Sequence, residues 1–565
     1  MVIAPRSRFR HESPPLKEHR GLDLWSGVQV IVWVILLVLL LWPLGSIVRS
    51  SLIDPDTGAI GLANYVEVLS RRRFLIAIGN TFIAGIGGMV GALLLGVTLA
   101  FLVTRVRLRG RTLIQTLAVL ALVSPPFIGA YAWIVLFGAN GAVRRGLMSL
   151  GVTIPPIYGA AGVILVFSFK FFPNVFLIVS AALTQVNRSL EEAAEGLGLS
   201  PIRRFASITL PMILPAITGG ALLAFVLSIA DFGTPRLIGR NFDVLATQAF
   251  TLYTADLGSN PGLASAVSLV LVGISVVLVL LQRRLLRRDV FQGNALKPRV
   301  AVQPHGWRSV GLHALAYAIV LIGVMPSIVV FIFSLRRTSG PVFQSGFGLQ
   351  SYRQVLSAVT DPIWNTLTFS FASVSGIVIV GTLIGYLITR RPSRATAVLD
   401  GLLMVPYVVP GVVMGIGYIT AFNTPPLAIT GTGLVIILAI FIRRLPYAAR
   451  SAATSLKQLS PSLEEAAISL GHSPARAFLK VTARLILPGI LAGGIMSFVT
   501  AMNELSSSLV LYVSGTVTMP VRIYIAVING DYGIAAALSS LLLGVTALAV
   551  YAAFRLTGRR DTSFV

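Results

Sequence analysis

The sequence predicts an all-α integral membrane protein: twelve transmembrane helices arranged as two parallel six-helix repeats. Three observations predict it: an apolar composition, a regular series of long apolar runs, and a polar segment that occurs twice. Hydrophobic residues make up 55% of the 565 and charged residues only 12%, against about 25% charged in soluble domains. Mean hydropathy is +0.85. Runs able to cross a hydrocarbon core, roughly 17 to 25 residues each, lie near 27–48, 74–104, 112–137, 159–183, 212–231 and 262–282. A second set lies near 310–334, 363–389, 398–422, 431–453, 487–507 and 534–555. The polar segment Ser189-Leu-Glu-Glu-Ala-Ala-Glu-Gly-Leu-Gly-Leu-Ser-Pro201 returns 273 positions later as Ser462-Leu-Glu-Glu-Ala-Ala-Ile-Ser-Leu-Gly-His-Ser-Pro474.

That offset also carries Pro215 onto Pro488, Gly220 onto Gly493, Phe225 onto Phe498 and Asp231 onto Glu504. Upstream, Gly61, Leu62 and Tyr65 match Gly348, Leu349 and Tyr352, while Asn80-Thr81 and Thr104-Arg105 match Asn365-Thr366 and Thr389-Arg390. The offset falls from 287 through 285 to 273, which places about twelve extra residues in the first repeat, in the external loop around Gly138 to Gly159. Six spans per unit is an even number, so both units enter the membrane from the same side. Such repeats are related by an axis along the membrane normal, with the pathway at their shared interface.

Taken in order, the chain divides into a disordered basic cytoplasmic arm (1–24), a first repeat (25–282) with a cytoplasmic loop at 187–211, and a cytoplasmic linker (283–309). A second repeat (310–556) with its loop at 460–484 and a cytoplasmic tail (557–565) follow. The arm carries Arg6, Arg8, Arg10 and Lys17 but no apolar core or small-residue cleavage site, so it does not read as a signal peptide. A net charge of +25 would suit nucleic acid if the cations lay on one soluble face, but they follow the membrane map instead. With the N-terminus in the cytoplasm, about 30 of the 45 Lys and Arg fall in cytoplasmic segments, as the positive-inside rule requires. Arg71-Arg72-Arg73 is a local exception. Pro125-Pro126, Pro173, Pro406, Pro410 and Pro446 fall within spans and predict kinks, either plain bends or hinges of a pathway. Gly219-Gly220 and Gly493-Gly494 predict close helix packing. With no cysteine, thiol chemistry and disulfides are excluded, and the histidines at 11, 19, 305, 313 and 472 form no metal-ligand spacing.

In the duplicated segment, Ser189 with Glu192, and Ser462 with Glu465, predict reciprocal capping boxes that start two short helices. Ala193-Ala194 and Ala466-Ala467 give each a small, helix-favouring surface. Gly198 and Gly471 stand where a left-handed residue ends the helix. Ser200-Pro201 and Ser473-Pro474 then predict a second start, with proline in the first turn. A capped helix of this kind could lie in the lipid interface, but paired carboxylates and alanines do not make a lipid-binding face.

Glu192-Ala-Ala, Gly198 and Ile208-Thr-Leu-Pro211 resemble the EAA signature of membrane subunits in binding-protein-dependent ABC importers. The second copy keeps Glu465-Ala-Ala and Gly471 but ends Val481-Thr-Ala-Arg484, so its equivalence to the first is open. The resemblance implies the type I ABC importer permease fold in a bacterial inner membrane, with both termini cytoplasmic. It also implies that Glu191, Glu192, Ala193, Ala194, Gly198, Glu464, Glu465, Ala466, Ala467 and Gly471 form coupling surfaces for a separate ATPase. That partner is expected to be a homodimer carrying ATP and magnesium, with an extracytoplasmic solute-binding protein on the other face. None of the five lysines is followed by Ser or Thr, so no phosphate-binding loop is present; the chain is expected to be no enzyme and to bind no cofactor or nucleic acid.

Ionisable groups inside spans are functional candidates by default. Lys170 aligns with Arg443, which adjoins Arg444, and Asp231 aligns with Glu504. Two readings are open: a charged lining of the substrate pathway, or interhelical ion pairs. The two-repeat layout, together with Asp231-Phe-Gly-Thr-Pro235, Leu237-Ile-Gly239 and Phe242-Asp-Val-Leu-Ala-Thr-Gln248, is similar to iron(III)-type permeases. Iron(III) is the expected substrate, with thiamine, phosphonate, polyamine or sulfate as alternatives within the class. An ion-coupled secondary transporter is a more distant one. Ferric ion favours hard oxygen ligands, which suits Asp231 and Glu504, whereas Lys170, Arg443 and Arg444 suit an anion; no metal site is assigned.

Overall fold

The computed structural model describes residues 24–54, 57–123, 126–255, 260–286, 303–340 and 342–557. The predicted arm before Leu24, most of the linker, the tail after Thr557 and Pro125 lie outside these residues. Within them the apolar runs are helices, because a hydrocarbon surround offers no water and a helix satisfies its own backbone groups.

Nine helices among the described residues are long and apolar enough to cross a membrane, or eleven if two bent pairs each count as one. Helices Leu24–Leu52, Arg72–Arg105, Ala160–Gln185, Gly306–Ser334 and Asp361–Arg390 coincide with predicted spans. The predicted count of twelve continuous spans departs from this at specific places. The run at 112–137 is two helices, Arg111–Val123 and Pro126–Phe137. The run at 398–422 bends by 108° between Arg394–Val408 and Gly411–Phe422, where Pro410 lacks an amide and holds an extended conformation. Pro173 and Pro446, in contrast, stay inside continuous helices. Helix Gly433–Lys457 is 25 residues long, but Arg443, Arg444, Arg450 and Lys457 make it too charged to stand out as apolar. Leu487–Met502 meets the preceding Pro474–Leu485 at 73°.

The fold is also not wholly helical. Strands Arg336–Ser339 and Val342–Phe347 pair antiparallel after helix Gly306–Ser334. At the corresponding place in the first repeat, a single bridge forms among the described residues, Ile53 with Ile60. The extra residues of the first repeat lie where the offsets place them: 138–159, with its short helix Ala142–Ser149, corresponds to the briefer 423–432. The exceptional Arg71 and Arg73 both lie against Glu67, at 3.1 and 3.7 Å.

Small residues set the closest helix contacts. A methyl group added at Gly385 would lie 2.9 Å from the Ala449 carbonyl oxygen and 3.0 Å from the Ala453 amide nitrogen. In the first repeat, one at Gly96 would lie 2.8 Å from the Phe172 carbonyl oxygen. Of the predicted glycine pairs, Gly493 and Gly494 are tight against Ser451 and Val378, whereas Gly220 makes ordinary contact with Val175.

Each repeat lends its first helix to the other. Trp25 stacks on Tyr386 at 4.1 Å, the Tyr418 hydroxyl donates to the Leu39 carbonyl at 2.8 Å, and Gly417 faces the Pro43 carbonyl. Reciprocally, on helix Gly306–Ser334, His313 accepts from the Arg109 amide at 3.0 Å, Tyr317 donates to the Arg109 carbonyl at 3.0 Å, and Gly323 lies against Phe172.

Replacing Gly385 with Val is expected to cost about 1–3 kcal/mol, because the neighbours are two backbone atoms and the Cβ of Ala452, none of which can yield without moving the facing helix. Gly401→Ala, whose methyl would meet nothing within 4 Å, serves as the neutral control. Thermal unfolding of the two purified variants in detergent separates them; equal midpoints would refute the packing argument.

Candidate functional site

The two predicted loops form the same construction. Helix Arg188–Gly196 is followed by Gly198 at φ +79°, and helix Ser462–Ser469 by Gly471 at φ +92°. In the first, the Gly198 amide donates to the Glu195 carbonyl and the Leu199 amide to that of Ala194; in the second, Gly471 donates to Ile468 and His472 to Ala467. These paired bonds are a Schellman ending, and the positive φ explains why glycine stands there. Helices Pro201–Arg204 and Pro474–Ala477 then start behind Ser200 and Ser473 with proline in the first turn. Each runs into one wide π-helical turn, Phe205–Thr209 or Phe478–Thr482.

The predicted capping boxes do not form. Asn187 caps the first helix by accepting from the Ser189 amide at 3.1 Å, so the helix begins two residues early and Ser189 falls inside it. The second helix starts at Ser462 behind Pro461, with no side-chain cap. Pro461 sits there at φ −57°, already in the helical range.

The loops present two faces. Glu192, Ala193, Glu465 and Ala466 are exposed, as are Gly198 and Gly471, while Ala194 and Ala467 are buried. Leu197 and Leu470 are 81% and 85% exposed. The neighbouring carboxylates turn inward instead. Glu191 is only 4% exposed; its two oxygens lie 3.2 Å from the two terminal nitrogens of Arg105, and Thr209 donates to it at 2.6 Å. Glu464 accepts from the Tyr386 hydroxyl at 2.6 Å and from Thr482 at 2.8 Å.

The buried charges within the helices are paired. Lys170 contacts Asp231, and Arg443 and Arg444 both contact Glu504. Each carboxylate also starts the next turn of chain: Asp231 accepts from the Thr234 amide at 2.8 Å, and Glu504 from the Ser507 amide and hydroxyl at 3.1 and 3.0 Å. Of the two readings open in the sequence, interhelical ion pairs are the one this geometry displays.

Sequence reasoning missed Arg105, Thr209, Tyr386 and Thr482. A signal for three of them was present. Thr104-Arg105 aligns with Thr389-Arg390, and threonine is the residue that Ile208-Thr-Leu-Pro211 and Val481-Thr-Ala-Arg484 share. Tyr386 gave none, since it aligns with Phe101.

The chain matches the family model described as binding-protein-dependent transport system inner membrane component twice, over residues 92–289 and 377–557. It is 29% identical over 551 residues to the ferric transport system permease protein FbpB of Actinobacillus pleuropneumoniae, covering 94% of this chain and 78% of that protein. It is 30% identical over 267 residues to the putative 2-aminoethylphosphonate transport system permease protein PhnU of Salmonella paratyphi A, covering 46% of this chain and 91% of that protein. Among solved structures, a bacterial alginate ABC transporter in complex with an alginate pentasaccharide-bound periplasmic protein matches with a TM-score of 0.39 and 20% identity, covering 48% of this chain and 96% of that one.

Breaking one buried pair is expected to be costly. Asp231→Asn leaves Lys170 without its counter-charge and should cost about 3–5 kcal/mol, whereas Lys170→Met with Asp231→Asn should recover most of the loss. Detergent-solubilised thermal stability checks this; a double variant as unstable as the single one would contradict it.

Proposed function

The chain belongs to the family of inner membrane components of binding-protein-dependent transport systems, and from that premise we propose that its two polar loops receive a separate ATPase pair while the interface between its repeats conducts the substrate. It is the permease subunit of an ABC importer. The observation that carries the loop assignment is the duplication itself: a short helix, a Schellman ending at Gly198 or Gly471 and a proline-started second helix, each with an exposed Glu-Ala pair and an exposed leucine. One partner made of two like subunits fits two such surfaces.

In this reading Glu192, Ala193 and Gly198, with Glu465, Ala466 and Gly471, form the docking faces. ATP and magnesium sit on the partner, and closure of the ATPase pair draws the loops together. The chain crosses the bacterial inner membrane twelve times, counting each bent pair and the charged helix Gly433–Lys457 as crossings, with both termini and the arm, linker and tail cytoplasmic. The pathway lies between the parallel repeats, and a solute-binding protein delivers substrate from outside. Lys170, Asp231, Arg443, Arg444 and Glu504 act on that pathway as paired charges that must separate or rearrange when it opens.

The substrate is iron(III), a reading supported by the near full-length likeness to a ferric permease. A phosphonate is the second reading, favoured by the half-length likeness to a 2-aminoethylphosphonate permease.

Two experiments test this. In proteoliposomes holding the chain, its ATPase and its binding protein, Glu192→Ala with Glu465→Ala should abolish ATP-dependent iron uptake and loosen the ATPase while membrane insertion survives; unaltered uptake would sink the docking assignment. The chain has no cysteine, so a membrane-impermeant maleimide reports orientation directly. Met148→Cys should react in intact cells and Leu197→Cys only after permeabilisation; the reverse pattern would invert the topology.

A further inference from the structure

We infer that Glu191 and Glu464 are internal latches rather than ATPase contacts: each ties its coupling helix to the membrane helices of its own repeat, ionically in the first and through neutral hydroxyls in the second. The inference rests on the coupling reading above and reassigns two residues that the family resemblance places among the coupling surfaces.

Burial is the first argument. Glu191 and its partner Arg105 keep only 5% of their side chains exposed, so the Glu191 carboxylate faces the bundle and not a docking partner. Glu464 is partly buried in the same orientation, while Glu192 and Glu465, one residue on, are exposed.

Connectivity is the second. Glu191 joins three segments at once: its own coupling helix, the end of helix Arg72–Arg105 through Arg105, and the π-helical turn through Thr209. Glu464 does the same with helix Asp361–Arg390 through Tyr386 and with the other π-helical turn through Thr482. A displacement of either short helix is therefore passed to two membrane helices without relying on the connecting backbone. Tyr386 extends the second latch further, because Trp25 of the exchanged first helix stacks on it and Phe478 packs edge-on at 4.9 Å.

The third argument is divergence at aligned positions. Arg390, the counterpart of Arg105, donates to the Leu459 carbonyl at 2.7 Å. Tyr386 takes over the carboxylate, whereas its counterpart Phe101 only packs on Phe205. The two latches thus respond differently to loss of charge. The two hydroxyls bond different oxygens of Glu464, so an amide there accepts from one of them and donates through its NH2 to the other, because a hydroxyl can also accept. An amide at 191 removes the carboxylate from a buried guanidinium, a strongly destabilising change.

The test uses the assembled transporter in proteoliposomes supplied with iron(III)-loaded binding protein, reading ATPase co-purification, ATP hydrolysis and iron moved per ATP. Glu191→Gln is expected to lower iron moved per ATP about 10-fold or more with the ATPase still bound, and Glu464→Gln by no more than about threefold. Glu464→Leu, which removes the acceptor, should match Glu191→Gln. Arg105→Gln with Glu191→Gln should be no worse than Glu191→Gln alone, because residues acting as one unit are not additive; this double variant also serves if the single one does not accumulate. Loss of the ATPase from Glu191→Gln, or equal effects of Glu191→Gln and Glu464→Gln, would overturn the latch assignment. A wild-type chain that retains no ATPase would instead overturn the coupling reading beneath it.

Discussion

Without water to fall back on, every backbone amide and every charged side chain in the membrane-spanning part of this molecule must find its partner inside the bundle. The rest of the structure follows from that requirement. It makes the apolar runs helical, and it joins Lys170 to Asp231 and the Arg443–Arg444 pair to Glu504. It also places a backbone amide three residues beyond each carboxylate, so that the end of one helix organises the next turn of chain. Where proline removes an amide, the outcome depends on the neighbours: Pro173 and Pro446 are absorbed within helices, while Pro410 stands at a right-angled break.

The two repeats solve the same packing problem with different residues. Gly96 and Gly381 both lie at close helix contacts, and both loops end in the same paired bonds around a left-handed glycine. The repeats differ where the loops meet the membrane helices. There an ion pair in the first repeat corresponds to two hydroxyl donors in the second, and an arginine freed from the carboxylate takes a backbone carbonyl instead. One net positive charge more is held around Glu504 than around Asp231, since two guanidinium groups share one carboxylate. A fused chain permits such asymmetry, because its two halves can vary independently.

Much of this was legible in the sequence for physical reasons that act locally. Hydrophobic length reports spans, a glycine after a short amphipathic helix reports a left-handed ending, and proline after serine reports a new start. The failures were local too. Ser189 carries a good capping signal, but Asn187 two residues earlier accepts from the Ser189 amide, which the Glu192 side chain of a capping box would have taken, and moves the start. The runs near 112–137 and 398–422 conceal breaks that hydropathy does not register. Glu191 and Glu192 are adjacent and identical in type, so no sequence rule sends one inward and the other outward; only the rotation of the helix against Arg105 and Thr209 does so.

By itself the sequence determined the duplication, the apolar character, the position of both loops and the alignment of their charges, because these depend on residue type and spacing along one chain. Tertiary structure alone decided that each first helix packs on the opposite repeat, that the aligned charges close on each other, and that Tyr386 replaces an arginine at the second loop. Those outcomes depend on which faces meet across hundreds of residues. In a medium that rewards close packing and pairing rather than hydrophobicity, the identity of the partner is settled only when the helices are in place.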